Sequence, residues 1–147
     1  MAIFNGTDLL LKVSPSSGGT DAKLMHSQSV TLDVSTETID ITTKDSSGRQ
    51  EVIAGLTSFS LSSDGLMDFN PSVAVAAGTE FDELFVQGYT NRTAVEFTFT
   101  LATTATGDYT FSGSGIITAL SISAGVEDAP TYSVSIQGTG ALTKNDI

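Results

Sequence analysis

The chain has no cysteine and no tryptophan, a single histidine, three prolines and only six Lys plus Arg in 147 residues. Without cysteine there is no disulfide framework and no thiol chemistry. A Ser-His-Asp site would have to use His26, and nothing around His26 resembles a nucleophile elbow. A strand-edge histidine is the simpler reading. A zinc site would need carboxylates for nearly every ligand, which zinc seldom uses. The shortage of cations leaves a net charge of −11 and a pI near 4.1. That excludes nucleic-acid binding by phosphate neutralisation, which needs clustered Lys and Arg. No apolar run exceeds a few residues, Val73 to Ala77 being typical, so no membrane span is expected. The opening MAIFNGTDLLLKV has no basic stretch ahead of an apolar one, so no signal peptide is expected.

Ser, Thr and Gly fill the polar positions instead, and only 16% of residues are charged. Desolvating a hydroxyl costs far less than desolvating an ion, so such a surface suits burial in an interface. Period-two alternation dominates. Leu9, Leu11 and Val13 alternate with Leu10 and Lys12, and Val30, Leu32 and Val34 with Thr31, Asp33 and Ser35. Ile39 and Ile41 then continue in the opposite phase, which predicts a bulge near Ser35 to Thr38. Phe59 and Leu61, then Val95 to Leu101, Tyr109 to Ile122 and Tyr132 to Ile136 are further strands. A phase change is expected near Gly113 to Ile116. Turns fall at Ser16–Thr20, Thr106–Asp108 and Gly125–Pro130. One segment differs: Phe81, Leu84 and Phe85 at i, i+3, i+4, with Thr79 as a cap and Gly88 as a stop, predict a short flanking α-helix over about 79–87. The expectation is a mainly β fold, a sandwich or barrel of about seven or eight strands with that one helix. A single domain over 1–147 with a projecting loop around 43–52 is expected.

Other chemistry is weak. Asp64, Asp68 and Asn70 lack calcium-loop spacing and suit a turn better. Gly113-Ser114-Gly115 has no following helix, so close backbone packing explains it better than a phosphate loop. No catalytic residue, cofactor or metal is expected. The loop Lys44, Asp45, Ser46, Ser47, Gly48, Arg49, Gln50 concentrates two of the six cations between β-like segments.

Four stretches together resemble the major tail protein family of long-tailed phages, the TP901-1-like tail tube proteins. They are Thr42-Thr43-Lys44-Asp45-Ser46-Ser47-Gly48, Ser63-Asp64-Gly65-Leu66, Gly113 to Leu120 (GSGIITAL) and Tyr132 to Leu142 (YSVSIQGTGAL). Their order and spacing extend the resemblance from about Ile3 to Leu142, with Phe69–Gly78 outside the family pattern. The resemblance implies a tail-tube-like fold and a structural virion protein without enzyme activity. It implies stacked hexameric rings whose joined sheets form a channel for genome delivery. The implied partners are other copies, tape-measure, baseplate or tail-tip and tail-terminator proteins, and double-stranded DNA sliding through unbound. The implied location is the virion tail, assembled in the host bacterial cytoplasm. Within that frame, Lys44 to Gln50 is a candidate contact between subunits or rings, and Asp33 and Glu96 are candidate lumen-facing acids. The competing reading is a secreted or surface β-sandwich binding carbohydrate or protein, which the missing tryptophan and signal disfavour. A tube protein of a related phage-derived particle, a gene transfer agent or contractile injection device, shares the same logic.

Overall fold

A computed structural model describes residues 6–14, 22–24, 27–67, 78–79, 84–101 and 105–147. His26, Phe81, Asp82, Asp68 and Asn70 lie outside the described residues. Among the described residues, eight strands form one sheet: β1 Leu9–Ser14, β2 Ala22–Leu24, β3 Ser27–Asp40, β4 Val52–Leu66, β5 Gly78–Thr79, β6 Val95–Leu101, β7 Tyr109–Ser123 and β8 Thr131–Asp146. Their order is β3-β4-β8-β7-β6-β1-β2-β5, antiparallel throughout except for β2 with β5. Among the described residues no helix is long and apolar enough to cross a membrane.

Alternation decides which face is buried. Leu11 and Val13, Phe59 and Leu61, Val95 and Phe97, Ile117, and Tyr132, Val134 and Ile136 join one buried cluster. The strands β1 and β4 stand four places apart in the sheet, yet both supply this cluster, and β1 lies against β3. The sheet therefore curls around a single core on its concave face. Burial of each large apolar side chain stabilises by about 1.5–3 kcal/mol. The intervening residues of β6, Glu96 and Thr98, occupy the convex face.

The space over glycines on the core face is taken by neighbouring side chains, Phe59 over Gly138 and Ile136 over Gly115. Gly115 pairs with Gly138 across β7 and β8. A methyl on Gly138 would stand 2.2 Å from the Phe59 ring, so that ring lies over the glycine. Phe59 in turn meets Phe97 with centroids 5.7 Å apart. The Gly113–Gly115 stretch is thus close packing within a strand.

The register confirms the expected break between Thr36 and Thr38. Thr36 faces Thr57 and Thr38 faces Ala54, so the additional residue lies on β4, at Gly55–Leu56. The second expectation needs correcting. Phe111, Gly113, Gly115 and Ile117 keep one phase, and the extra residue of β7 is Thr118, between the Ile117–Ile136 and Ala119–Ser135 pairs. Near Ser112 and Ser114 the extra residues belong to β8, around Gly140.

The helix also departs from the expected 79–87, and residues 80–83 lie outside the described residues. Thr79 is in strand β5, paired with Leu24. Leu84 and Phe85 are helical, and a π-helical turn continues through Val86–Asn91 until Arg92 takes a left-handed conformation at φ 54°. Gly88 does not stop the turn, because its role is proximity: a Cβ there would come within 3.1 Å of Ile117. Leu84, fully buried, anchors the segment to the sheet.

Candidate assembly surface

The strands β3 and β4 outrun the rest of the sheet. β8 pairs with β4 only from Ser60 to Leu66, so Val34–Asp40 and Val52–Phe59 pair with each other alone. The result is a two-stranded arm with solvent on both faces. Val34, Ile39, Val52, Ile53 and Leu56 are exposed on it, and Ile41 beside its tip. Among the described residues, β3 forms hydrogen-bonded pairs on one side only. A long unpaired edge and an apolar arm are both liabilities in a monomer.

The tip is tightly tied. Ile41 N–H donates to the Glu51 carbonyl at 2.9 Å, and Glu51 N–H donates to Thr42 Oγ1 at 2.9 Å. A helical turn, Lys44–Ser46, fills the bend. Ser46 is buried; its hydroxyl accepts from Thr43 N–H at 3.1 Å and donates to Glu51 Oε2 at 3.0 Å. Ser47 and Gly48 are both left-handed, φ 53° and 76°, and reverse the chain. The second of these positions favours glycine on steric grounds. Asp40 Oδ1 accepts from Thr42 N–H at 2.8 Å. The Thr42 hydrogen bonds, side-chain first and then backbone, hold the Asp40 carboxyl below the usual range. The sequence-predicted loop is therefore a preformed knob. Within it, Asp45, Ser47, Gly48, Arg49, Gln50 and Lys44 are exposed, and neither cation has a carboxylate partner among the described residues.

Asp33 and Glu96 share the convex face but do not meet. Asp33 is exposed on β3, opposite Ser60, and Glu96 is half-buried on β6, opposite Ser14 and Ser114. Three strands, β4, β8 and β7, separate them. Sequence reasoning missed a third acid there: Asp64, on β4 between Ser29 and Ser133, accepts from the Ser29 hydroxyl at 3.2 Å. The signal was its phase, opposite to Leu61 and Ser63. This face carries Thr31, Ser60, Ser62, Ser133, Ser135 and Gln137 as well. The strands β3, β4, β6 and β7 contain no Lys or Arg, β8 has only Lys144 near its end, and Lys12 of β1 lies on this face opposite Thr98. Among the described residues no three metal-ligating side chains converge.

The family of phage tail tube proteins matches residues 3–144. The chain belongs to that family. It is a structural tail tube protein. No curated protein matches it. Three solved tails share its fold. The tail of an empty gene transfer agent particle, refined with helical C6 symmetry, superposes with TM-score 0.78 at 22% identity over 97% of this chain and 99% of that one. The virion of a native gene transfer agent gives 0.76 at 20%, with the same coverage. The SPP1 tail tube gives 0.76 at 16%, over 99% of this chain and 80% of that one.

Proposed function

We propose that copies of this chain stack as hexameric rings into a tube that conducts double-stranded DNA from the particle into a host cell. The observation that carries the conduit is the convex face, hydroxyl-rich, acidic at Asp33, Asp64 and Glu96, and free of Lys and Arg across β3, β4, β6 and β7. Turned to the lumen, it repels phosphates weakly and offers little cationic charge for counterion release, Lys12 of β1 beside Thr98 being flanked by acids and hydroxyls, so a duplex slides. Sixfold symmetry in a tail of the same fold supports the ring number. Residues 1–147 act as one tail-tube domain, without catalysis, and the particle's tape-measure, tail-tip and terminator proteins set the tube's length and ends. Assembly takes place in the host bacterial cytoplasm and the product resides in the virion tail. The likeness to two gene transfer agent structures also fits a related phage-derived particle, with the same tube logic.

The knob Lys44–Gln50 contacts the adjacent ring or subunit, pairing Lys44 and Arg49 with acids there. Each exposed pair contributes only about 0–1 kcal/mol, so the knob sets register more than affinity. Lys44→Glu with Arg49→Glu should shorten or destabilise tubes seen by negative-stain electron microscopy. Tubes of unchanged length and thermal stability would overturn the assignment.

A further inference from the structure

An apolar groove of about 350 Å³ opens between the π-helical turn and the end of β7. Phe85, Gly88 and Tyr89 form one wall, and Ile117, Leu120 and Ile122 the other, with no charged side chain in the lining. Tyr89 stacks on Phe85 with centroids 5.3 Å apart, yet remains 72% exposed. Just past this wall, Arg92 ends the turn without a carboxylate partner among the described residues.

The arm carries the matching surface. Ile39 and Ile53 pair on one face. Beside them the register break leaves Leu56 unpaired and 77% exposed. Glu37 sits in the same break: a Cβ on Gly55 would touch both the Glu37 and Ile39 side chains. Glu37 is exposed and has no cation partner among the described residues. An apolar ridge with one acid thus has its counterpart in an apolar groove with one base.

The two surfaces cannot meet within a chain. The groove residues of β7 lie beside Tyr132–Ile136 of β8, level with Leu61–Gly65 of β4. Ile53 stands eight residues further along β4 than Leu61, which at a rise of about 3.3 Å per residue is about 26 Å away. The strand pairing holds the arm pointing away from the groove.

We infer that the arm of one copy docks its Ile39–Ile53–Leu56 ridge into the Phe85–Tyr89–Ile122 groove of a second copy, with Glu37 paired to Arg92 across the contact. This rests on the ring-assembly reading above. Donor and acceptor surfaces differ, so the contact is head-to-tail and either closes a ring or propagates. Burial of large apolar side chains supplies the affinity, and the ion pair selects the register.

The lack of cysteine makes the test clean. Leu56→Cys chains and Tyr89→Cys chains are mixed, assembled and treated with a short bis-maleimide. The inference predicts a covalent dimer from the mixture and none from either variant alone. Glu37→Arg or Arg92→Glu alone should raise the concentration needed for assembly about two- to fivefold, and the double reversal should restore it. Tubes that form normally but give no mixed adduct, and that ignore both reversals, overturn the docking and leave the rings standing. A cross-link formed within single chains of the Leu56→Cys/Tyr89→Cys double variant also overturns it. If the wild-type chain forms no ring or tube, even on tail-initiation complexes, the ring-assembly reading fails and the docking with it.

Discussion

Replacing Gly138 by alanine tests how the core is built. The new methyl would lie 2.2, 2.3 and 2.4 Å from three atoms of the Phe59 ring, well inside any tolerated contact. The ring has little freedom to yield: Phe59 is 6% exposed and packs on Phe97 at 5.7 Å. Rotation or translation of Phe59 must displace Phe97 or pry β4 from β8. Overpacking of this kind costs about 1–3 kcal/mol, and a rigid ring against backbone puts Gly138→Ala at the upper end. For a chain of this length, about 3 kcal/mol lowers Tm by about 6–12 °C. The assay is thermal and urea unfolding of unassembled protein. Phe59→Leu is the companion variant, since it costs stability alone by loss of burial but removes the ring that clashes. The double variant Gly138→Ala/Phe59→Leu should therefore be more stable than the sum of the two single losses. A Gly138→Ala protein within about 0.5 kcal/mol of the parent, or strictly additive losses, would refute the packing argument.

Three further outcomes follow from particular contacts. Leu84→Ala should cost about 2–5 kcal/mol, because Leu84 is fully buried and ties the π-helical turn to the core; unfolding in urea measures it. Burial pushes the Tyr132 phenol up to about 12, outweighing its hydrogen bond with Ser63, while Asp64 adds to the rise. The phenol is neutral in both states below pH about 10, ionises only in the unfolded chain above that, and so stability falls between about 10 and 12 by at most about 3 kcal/mol; Tyr132→Phe should abolish that loss. Asp40 has the opposite sense. Its lowered carboxyl favours the folded tip above the ordinary carboxylate range, and that preference disappears as pH falls through the folded value, seen as a smaller amide-exchange protection factor at Thr42 in acid.

The strands were legible because side-chain phase is a local property. Val95, Phe97 and Phe99 against Glu96 and Thr98 need no tertiary information to suggest a half-buried strand. The break near Thr36 was legible for the same reason, as Ile39 and Ile41 change phase. Which strand held the extra residue was not, since that depends on pairing between β3 and β4. The helical segment was half legible. Leu84 and Phe85 have helical spacing, but Gly88 looks like a stop in sequence while in space it admits Ile117. The Lys44–Arg49 knob stood out by the rarity of cations, whereas its rigidity comes from Ser46 and Glu51, hydroxyl and carboxylate contacts without a pattern. Glu37, Asp64 and Arg92 were invisible as members of surfaces, because only the sheet order places them.

The central claim is that this chain builds a hollow, sixfold tube, and electron cryo-microscopy of the purified protein, alone and added to tail-initiation complexes, tests it most directly. The account predicts stacked rings of six copies around an open channel wide enough for duplex DNA, with the Asp33–Asp64–Glu96 face lining it. A chain that stays monomeric at high concentration and fails to extend initiation complexes would contradict it, as would a tube whose channel is lined by the opposite face of the sheet.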